Sequence, residues 1–200
     1  MSGRTPVRLR LPRGAVIVLL TLVLLALGAL AGLLRPAAPD RSVTPAPLVG
    51  HTAPDFSLPT LRGTAAGPSV ELRRYRGTPL LLQFWAVDCP SCVAERPALL
   101  RAGRAFNARG GRVIGVDAYI EPPGLVGPYV RLHPEPYDPI LLDPNGDVIY
   151  RYRVTYVPSS YFIGADGVIR AVVVGQMSEA AFDREFRRIE AGLGAKGRGT

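Results

Sequence analysis

Leu80-Leu81-Leu82-Gln83-Phe84-Trp85-Ala86-Val87-Asp88-Cys89-Pro90-Ser91-Cys92 is the stretch that decides the fold. Leu80 to Val87 is a short, almost wholly apolar run, the pattern of a buried strand. Val93 to Ala108 reads as a helix, with Gly110-Gly111 as its stop signal. Cys89 and Cys92, the only cysteines in the chain, therefore lie where a strand hands over to a helix. A helix N-terminus carries positive partial charge and free N–H groups, which favour a thiolate. The second sulfur is close enough to form a disulfide with the first, so the pair reads as a redox device. Three other readings compete. A structural zinc site wants four ligands, and the remaining soft ligands, His51 and His133, lack pairing spacing. A purely structural disulfide would close a loop too short to stabilise much. Two inert buried thiols fit poorly with Pro90, which marks a helix start.

Outward from this stretch the pattern alternates. Val70-Glu71-Leu72 is a short strand candidate and Val113–Tyr119 an apolar strand. Leu125–Leu132 reads as a short helix broken by Pro128. Pro139–Asp143 leads into a Pro144-Asn145-Gly146 turn. Ser159–Ile163 and Val168–Val174 are strands joined by an Asp166-Gly167 hairpin turn. Ser178 fits the N-cap of a last helix, Glu179–Ala191. Strands interleaved with helices, then a hairpin and a helix, predict an α/β domain with a mixed sheet between helical layers.

The chain has 200 residues, room for one domain with appendages. Its net charge is +8, but Arg4, Arg8, Arg10 and Arg13 precede an uncharged run at 14–34. Without those four, 20 Lys/Arg face 16 Asp/Glu, a balance of +4. No basic stripe interleaved with aromatics and no nucleic-acid motif accompanies it, so no nucleic-acid partner is expected. The 21 residues of 14–34 would reach about 30 Å as a helix, the thickness of a bilayer core. The arginines place residues 1–13 in the cytoplasm and the rest outside. Ala29-Leu30-Ala31 resembles a cleavage site, but secretory apolar segments usually run about 7–15 residues. An uncleaved anchor in the lipid bilayer is therefore favoured over a signal peptide. Either way the dithiol works in an oxidising compartment. Residues 35–50 hold four prolines and form a semi-rigid tether. The domain then runs from 51 to 191, followed by a Gly-rich tail at 192–200.

Phe84-Trp85-Ala86-Val87-Asp88-Cys89-Pro90-Ser91-Cys92-Val93-Ala94-Glu95-Arg96-Pro97 resembles the active-site segment of thioredoxin-like proteins, specifically the membrane-anchored, extracytoplasmic TlpA/ResA type. Gly50–Leu58 is similar to that group's domain opening, and Val154–Gly167 to its second signature. The resemblance covers about residues 49–191. It implies a thioredoxin-like fold and a thiol-disulfide oxidoreductase that reduces disulfides in exported, cysteine-bearing clients, with apocytochrome c among them. It also implies a membrane dithiol as electron donor. Cys89 would be the exposed nucleophile and Cys92 the buried resolving thiol. Pro158 would be a cis-proline opposite the dithiol, with Val157 presenting backbone groups to a client strand. Trp85 would join this substrate-binding set. Glu95, three residues after Cys92 on the same helical face, would tune proton transfer. The alternative for Glu95 is a solvated surface residue beside Arg96.

Two departures from the family pattern matter. Gln83 stands where thioredoxins place a buried aspartate, which leaves proton transfer to Glu95. Asp88 directly precedes Cys89. At roughly 7 Å and an effective dielectric near 40 its charge would cost the thiolate about 1 kcal/mol, which favours a reductant. Alternatively Asp88 is the helix N-cap. Two other functions remain open. A peroxiredoxin-like peroxidase shares the domain opening, but Ala86 occupies the place of its threonine. A copper-binding chaperone would use the dithiol as soft ligands, but without a clearly placed histidine. The chain has no nucleotide or flavin motif of its own, so no cofactor and no metal are expected.

Overall fold

The computed structural model describes residues 13–33, 48–118 and 120–194. The expected N-terminus at 1–12, most of the tether and the last six residues lie outside them. The chain divides into two units, 1–39 and 40–200. The first contains α1, Arg13–Leu33. Among the described residues no helix is long and apolar enough to cross a membrane. From Val18 to Leu27 the valines and leucines of α1 are exposed.

The second unit is built on a seven-stranded mixed sheet. Its strands are β1 Ser57–Arg62, β2 Ala65–Glu71, β3 Leu80–Trp85, β4 Arg112–Asp117, β5 Ile140–Leu142, β6 Ser159–Ile163 and β7 Ile169–Val174. The order across the sheet is β2-β1-β5-β4-β3-β6-β7. The β3–β4 and β4–β5 pairs are parallel, and the other four are antiparallel. The helices are α2 Pro90–Ala108, α3 Pro123–Leu132, α4 Asp147–Arg151 and α5 Glu179–Gly194.

Every residue of β3 is buried, because the strand is central and both its faces are covered. Its side chains alternate. Leu81 packs with Leu99 and Phe106 of α2, Phe162 of β6, and Phe182 and Phe186 of α5. Leu80, Leu82 and Phe84 join Phe56, Leu141 and Tyr152 in a second cluster. On α2 the buried positions are Cys92, Glu95, Leu99, Ala102, Gly103 and Phe106, one stripe at the 3.6 period.

Four expectations change. The helix predicted to break at Pro128 continues through it as α3, with Pro128 inside the helix, where its missing N–H removes one backbone bond. A short 3-10 turn, Leu72–Tyr75, follows β2. The helix α4 and the strand β1 were not predicted, because five or six residues carry too little periodicity to read. The last helix extends three residues past Ala191 to Gly194. Ser178 caps it, its Oγ accepting from the Ala181 N–H at 3.2 Å.

Candidate active site

Strand β3 ends at Trp85 and α2 begins at Pro90, so the loop between them carries Asp88 and Cys89 to one end of the sheet. Cys89 is itself the N-cap of α2, in extended conformation, and its Sγ accepts from the Cys92 N–H at 3.1 Å. Pro90 follows at the first helical position, where a missing N–H costs nothing. Cys89 and Cys92 are joined as a disulfide, with Cα atoms 5.2 Å apart. The cap is therefore the sulfur of Cys89 and not the carboxylate of Asp88, which is exposed. A sulfur in this position already takes a backbone hydrogen bond, and that bond strengthens if the sulfur becomes anionic.

The Val157–Pro158 peptide is cis. The intervening Ser91 ties this segment to the dithiol. Its Oγ donates to the Val157 carbonyl at 3.4 Å and lies 3.5 Å from Cys89 Sγ. Both cysteines are buried, with 4% and 5% exposure. The expectation of an exposed first cysteine is thus corrected for the disulfide state. In this state Cys89 Sγ lies 3.5 Å from Ser91 Oγ and 3.1 Å from the Cys92 N–H at the N-terminus of the helix.

Glu95 is 2% exposed, so it is not a solvated surface glutamate. Its Oε1 accepts from Gln83 Nε2 at 2.8 Å, and its Oε2 accepts from the Met177 N–H at 2.9 Å. Burial pushes its carboxyl up to about 8, against the two donors, which pull it down. That value is close to the ordinary thiol range of about 8.5. A proton can therefore pass between such a carboxyl and a thiol at little cost in either direction.

Gln83, fully buried, also donates from Nε2 to Ser160 Oγ at 2.8 Å, and its Oε1 accepts from the Tyr137 hydroxyl at 2.6 Å. Tyr137 stacks on Trp85, centroids 5.3 Å apart, and the Tyr129 ring lies 6.2 Å from Trp85. Arg96 donates to the Tyr129 hydroxyl and pairs with Glu135 at 2.8 Å. Burial pushes Glu135 up to about 7 in spite of this arginine. Trp85 is 1% exposed and forms a wall of the core beside the site. Tyr137, Ser160 and Met177 were not singled out from sequence, since each reaches the site only through tertiary contact. Among the described residues no group of three or more His, Cys, Asp or Glu is placed to hold a metal ion. His133 instead packs against the Tyr129 ring at 4.4 Å.

A mixed sheet flanked by helices, with a disulfide capping the helix after its central strand, defines a thioredoxin-like thiol-disulfide oxidoreductase. Residues 49–172 match the AhpC/TSA family model, and the chain belongs to that family. It is 33% identical over 154 residues to the thiol:disulfide interchange protein DsbE of Allochromatium vinosum, covering 76% of this chain and 81% of that one. It is 32% identical over 140 residues to the thiol-disulfide oxidoreductase ResA of Halalkalibacterium halodurans, covering 70% and 74%. Among solved structures, a thioredoxin-family thiol:disulfide interchange protein of Chlorobium tepidum superposes with a TM-score of 0.60 at 26% identity. That match covers 69% of this chain and 94% of the other.

Proposed function

We propose that this chain is a membrane-anchored reductase of disulfides in exported proteins, with the Cys89-Pro90-Ser91-Cys92 dithiol as its working group. The observation that carries this reading is the Cys89–Cys92 disulfide at the start of α2, linked through Ser91 to the cis Val157–Pro158 peptide. In the reduced enzyme the Cys89 thiolate attacks one sulfur of a client disulfide. A Cys89–client bond forms and the other client sulfur leaves as a thiolate. Glu95 then takes the proton of Cys92. The Cys92 thiolate attacks Cys89 Sγ, which closes the 89–92 disulfide and releases the second client thiolate. Two electrons pass to the client, whose thiolates take protons from solvent. A membrane dithiol returns two electrons to the enzyme. The Val157 backbone lines an extended client segment, the usual way a strand-like peptide is held.

Apocytochrome c suits such an enzyme, since haem attachment needs a reduced Cys-x-x-Cys-His. Membrane attachment rests on the uncharged run 14–34 behind four arginines. Peroxidase chemistry is disfavoured by Ala86, a buried methyl where that reading wants a hydroxyl. The reduction potential of the pair tests the direction of flow. A value near about −270 mV, that of thioredoxin, supports a reductase, and one near about −120 mV contradicts it. Protease added to intact spheroplasts should digest residues 51–191, and full protection would overturn the topology.

A further inference from the structure

The Gln83 side chain is an amide held in one orientation by its neighbours, and its orientation decides what Glu95 meets. An amide oxygen and amino group are nearly the same size, so only hydrogen bonding distinguishes the two ends. The partners are Glu95 Oε1 and Ser160 Oγ on one side, both at 2.8 Å, and the Tyr137 hydroxyl on the other at 2.6 Å. Tyr137 keeps its proton. Burial, and the nearby carboxyls of Glu135 and Glu95, push its ionisation well above the usual range. A neutral phenol with a proton to give occupies Gln83 Oε1 and leaves both amino hydrogens for Glu95 and Ser160. Inverting the amide would strand the Tyr137 proton and one amino hydrogen, given the contacts Tyr137 makes among the described residues.

The placement of Tyr137 is built into the sheet. Gly115 on β4 is the register partner of Gln83 on β3. A Cβ there would fall 2.5 Å from Tyr137 Cγ and 2.8 Å from Trp85 Nε1. On the other side of Gln83 the register partner is Ser160 of β6, again a small residue. The bare backbone at Gly115 admits the Tyr137 ring, Trp85 stacks on it, and the hydroxyl reaches Gln83.

We propose that Tyr137 is a positioning residue for disulfide exchange: its hydroxyl pins the Gln83 amide so that the amino group, and not the oxygen, faces Glu95. This rests on the reading of Glu95 as the proton partner of Cys92. A donor aimed at Glu95 favours the carboxylate, the form able to accept that proton. The Tyr137 bond also polarises the amide and strengthens its donation to Glu95. The other ionisable groups around this cluster are Cys92, Cys89 and Arg96 on α2, Tyr129 on α3, and Glu135 before β5. Arg96 is engaged by Glu135 and Tyr129. From the turn before α5 the contact is the Met177 N–H.

The test is a carbon-13 titration of the Glu95 carboxyl in the full chain in detergent micelles, assigned with Glu95→Gln. Tyr137→Phe keeps the ring and removes only the hydroxyl. It should move the Glu95 titration upward by about half a unit or more, since the donor facing the carboxylate is weakened. The pH profile of mixed-disulfide resolution should move in the same direction. In a Gln83→Leu background, Tyr137→Phe should shift nothing further, because the amide that transmits the effect is gone. An unmoved or downward-moving Glu95 titration in Tyr137→Phe overturns the proposal, as does an equal shift in both backgrounds. The titration is independent of catalysis. If Glu95→Gln leaves the resolution rate unchanged, the proton role of Glu95 fails while this result still decides how Glu95 is held.

Discussion

The two halves of α2 present the same face to the same sheet and bury opposite kinds of side chain. The C-terminal half buries Leu99, Ala102 and Phe106, and Phe106 stacks on Phe186 of α5 at 4.0 Å. The N-terminal half buries a disulfide and the carboxyl of Glu95, held by Gln83 and the Met177 N–H. One half is ordinary apolar packing, which stabilises by keeping surface from water. The other places an ionisable group where only neutrality is cheap. A single helix thus carries the fold at one end and the chemistry at the other, with a boundary of about one turn between Glu95 and Leu99.

This contrast can be broken at either end. Cys89→Ser should abolish turnover of a disulfide substrate while leaving the urea midpoint of the folded domain nearly unchanged relative to the reduced wild type. Phe106→Ala should do the reverse: a loss of about 3–5 kcal/mol in urea unfolding, with intrinsic exchange rates retained by the molecules that remain folded. If Phe106→Ala impairs exchange in folded protein as much as stability, the division of labour along α2 is wrong.

Glu95→Gln should slow mixed-disulfide resolution by about 10²-fold without slowing the first attack, as loss of a proton acceptor does. The same substitution should change the pH dependence of stability. The folded pKa of Glu95, about 8, lies above its ordinary value of 4.5. The native state therefore holds a proton that the unfolded chain has lost between these values, and stability falls as pH rises through that window. Urea midpoints measured at pH 5.5 and 8.5 should decline in the wild type and decline less in Glu95→Gln. Equal slopes would place Glu95 outside the low-dielectric interior. The smallest effect belongs to Asp88→Asn. An exposed carboxylate is well screened, so the thiolate pKa of Cys89 should drop by less than about one unit.

Much of this arrangement was legible in the residues. Leu80–Trp85 reads as a buried strand because it is apolar on both alternations, and the dithiol follows it directly. The burial of Glu95 was only half readable: the helical period puts it on the face of Cys92, but a solvated residue beside Arg96 stayed open until the stripe Cys92, Glu95, Leu99, Ala102, Phe106 was seen to face the core. The expectation of a transmembrane anchor at 14–34 rests on composition, an uncharged run behind four arginines. The Tyr137–Gln83 contact was not readable. It joins residues 54 apart through a loop, and it depends on Gly115 and Ser160 being small at matched register positions. The orientation of Trp85 was not readable for a related reason: its place beside the site in sequence says nothing of which way the ring turns, and in the fold the ring packs against Tyr137 and Tyr129.

The central claim is that the helix start makes Cys89 the attacking sulfur and Cys92 the resolving one. Trapping in cells tests it most directly. Cys92→Ser should accumulate mixed disulfides with exported cysteine-bearing proteins, resolved on a non-reducing gel and lost on reduction, while Cys89→Ser should accumulate few. Equal trapping by the two variants, or trapping by Cys89→Ser alone, would contradict the account.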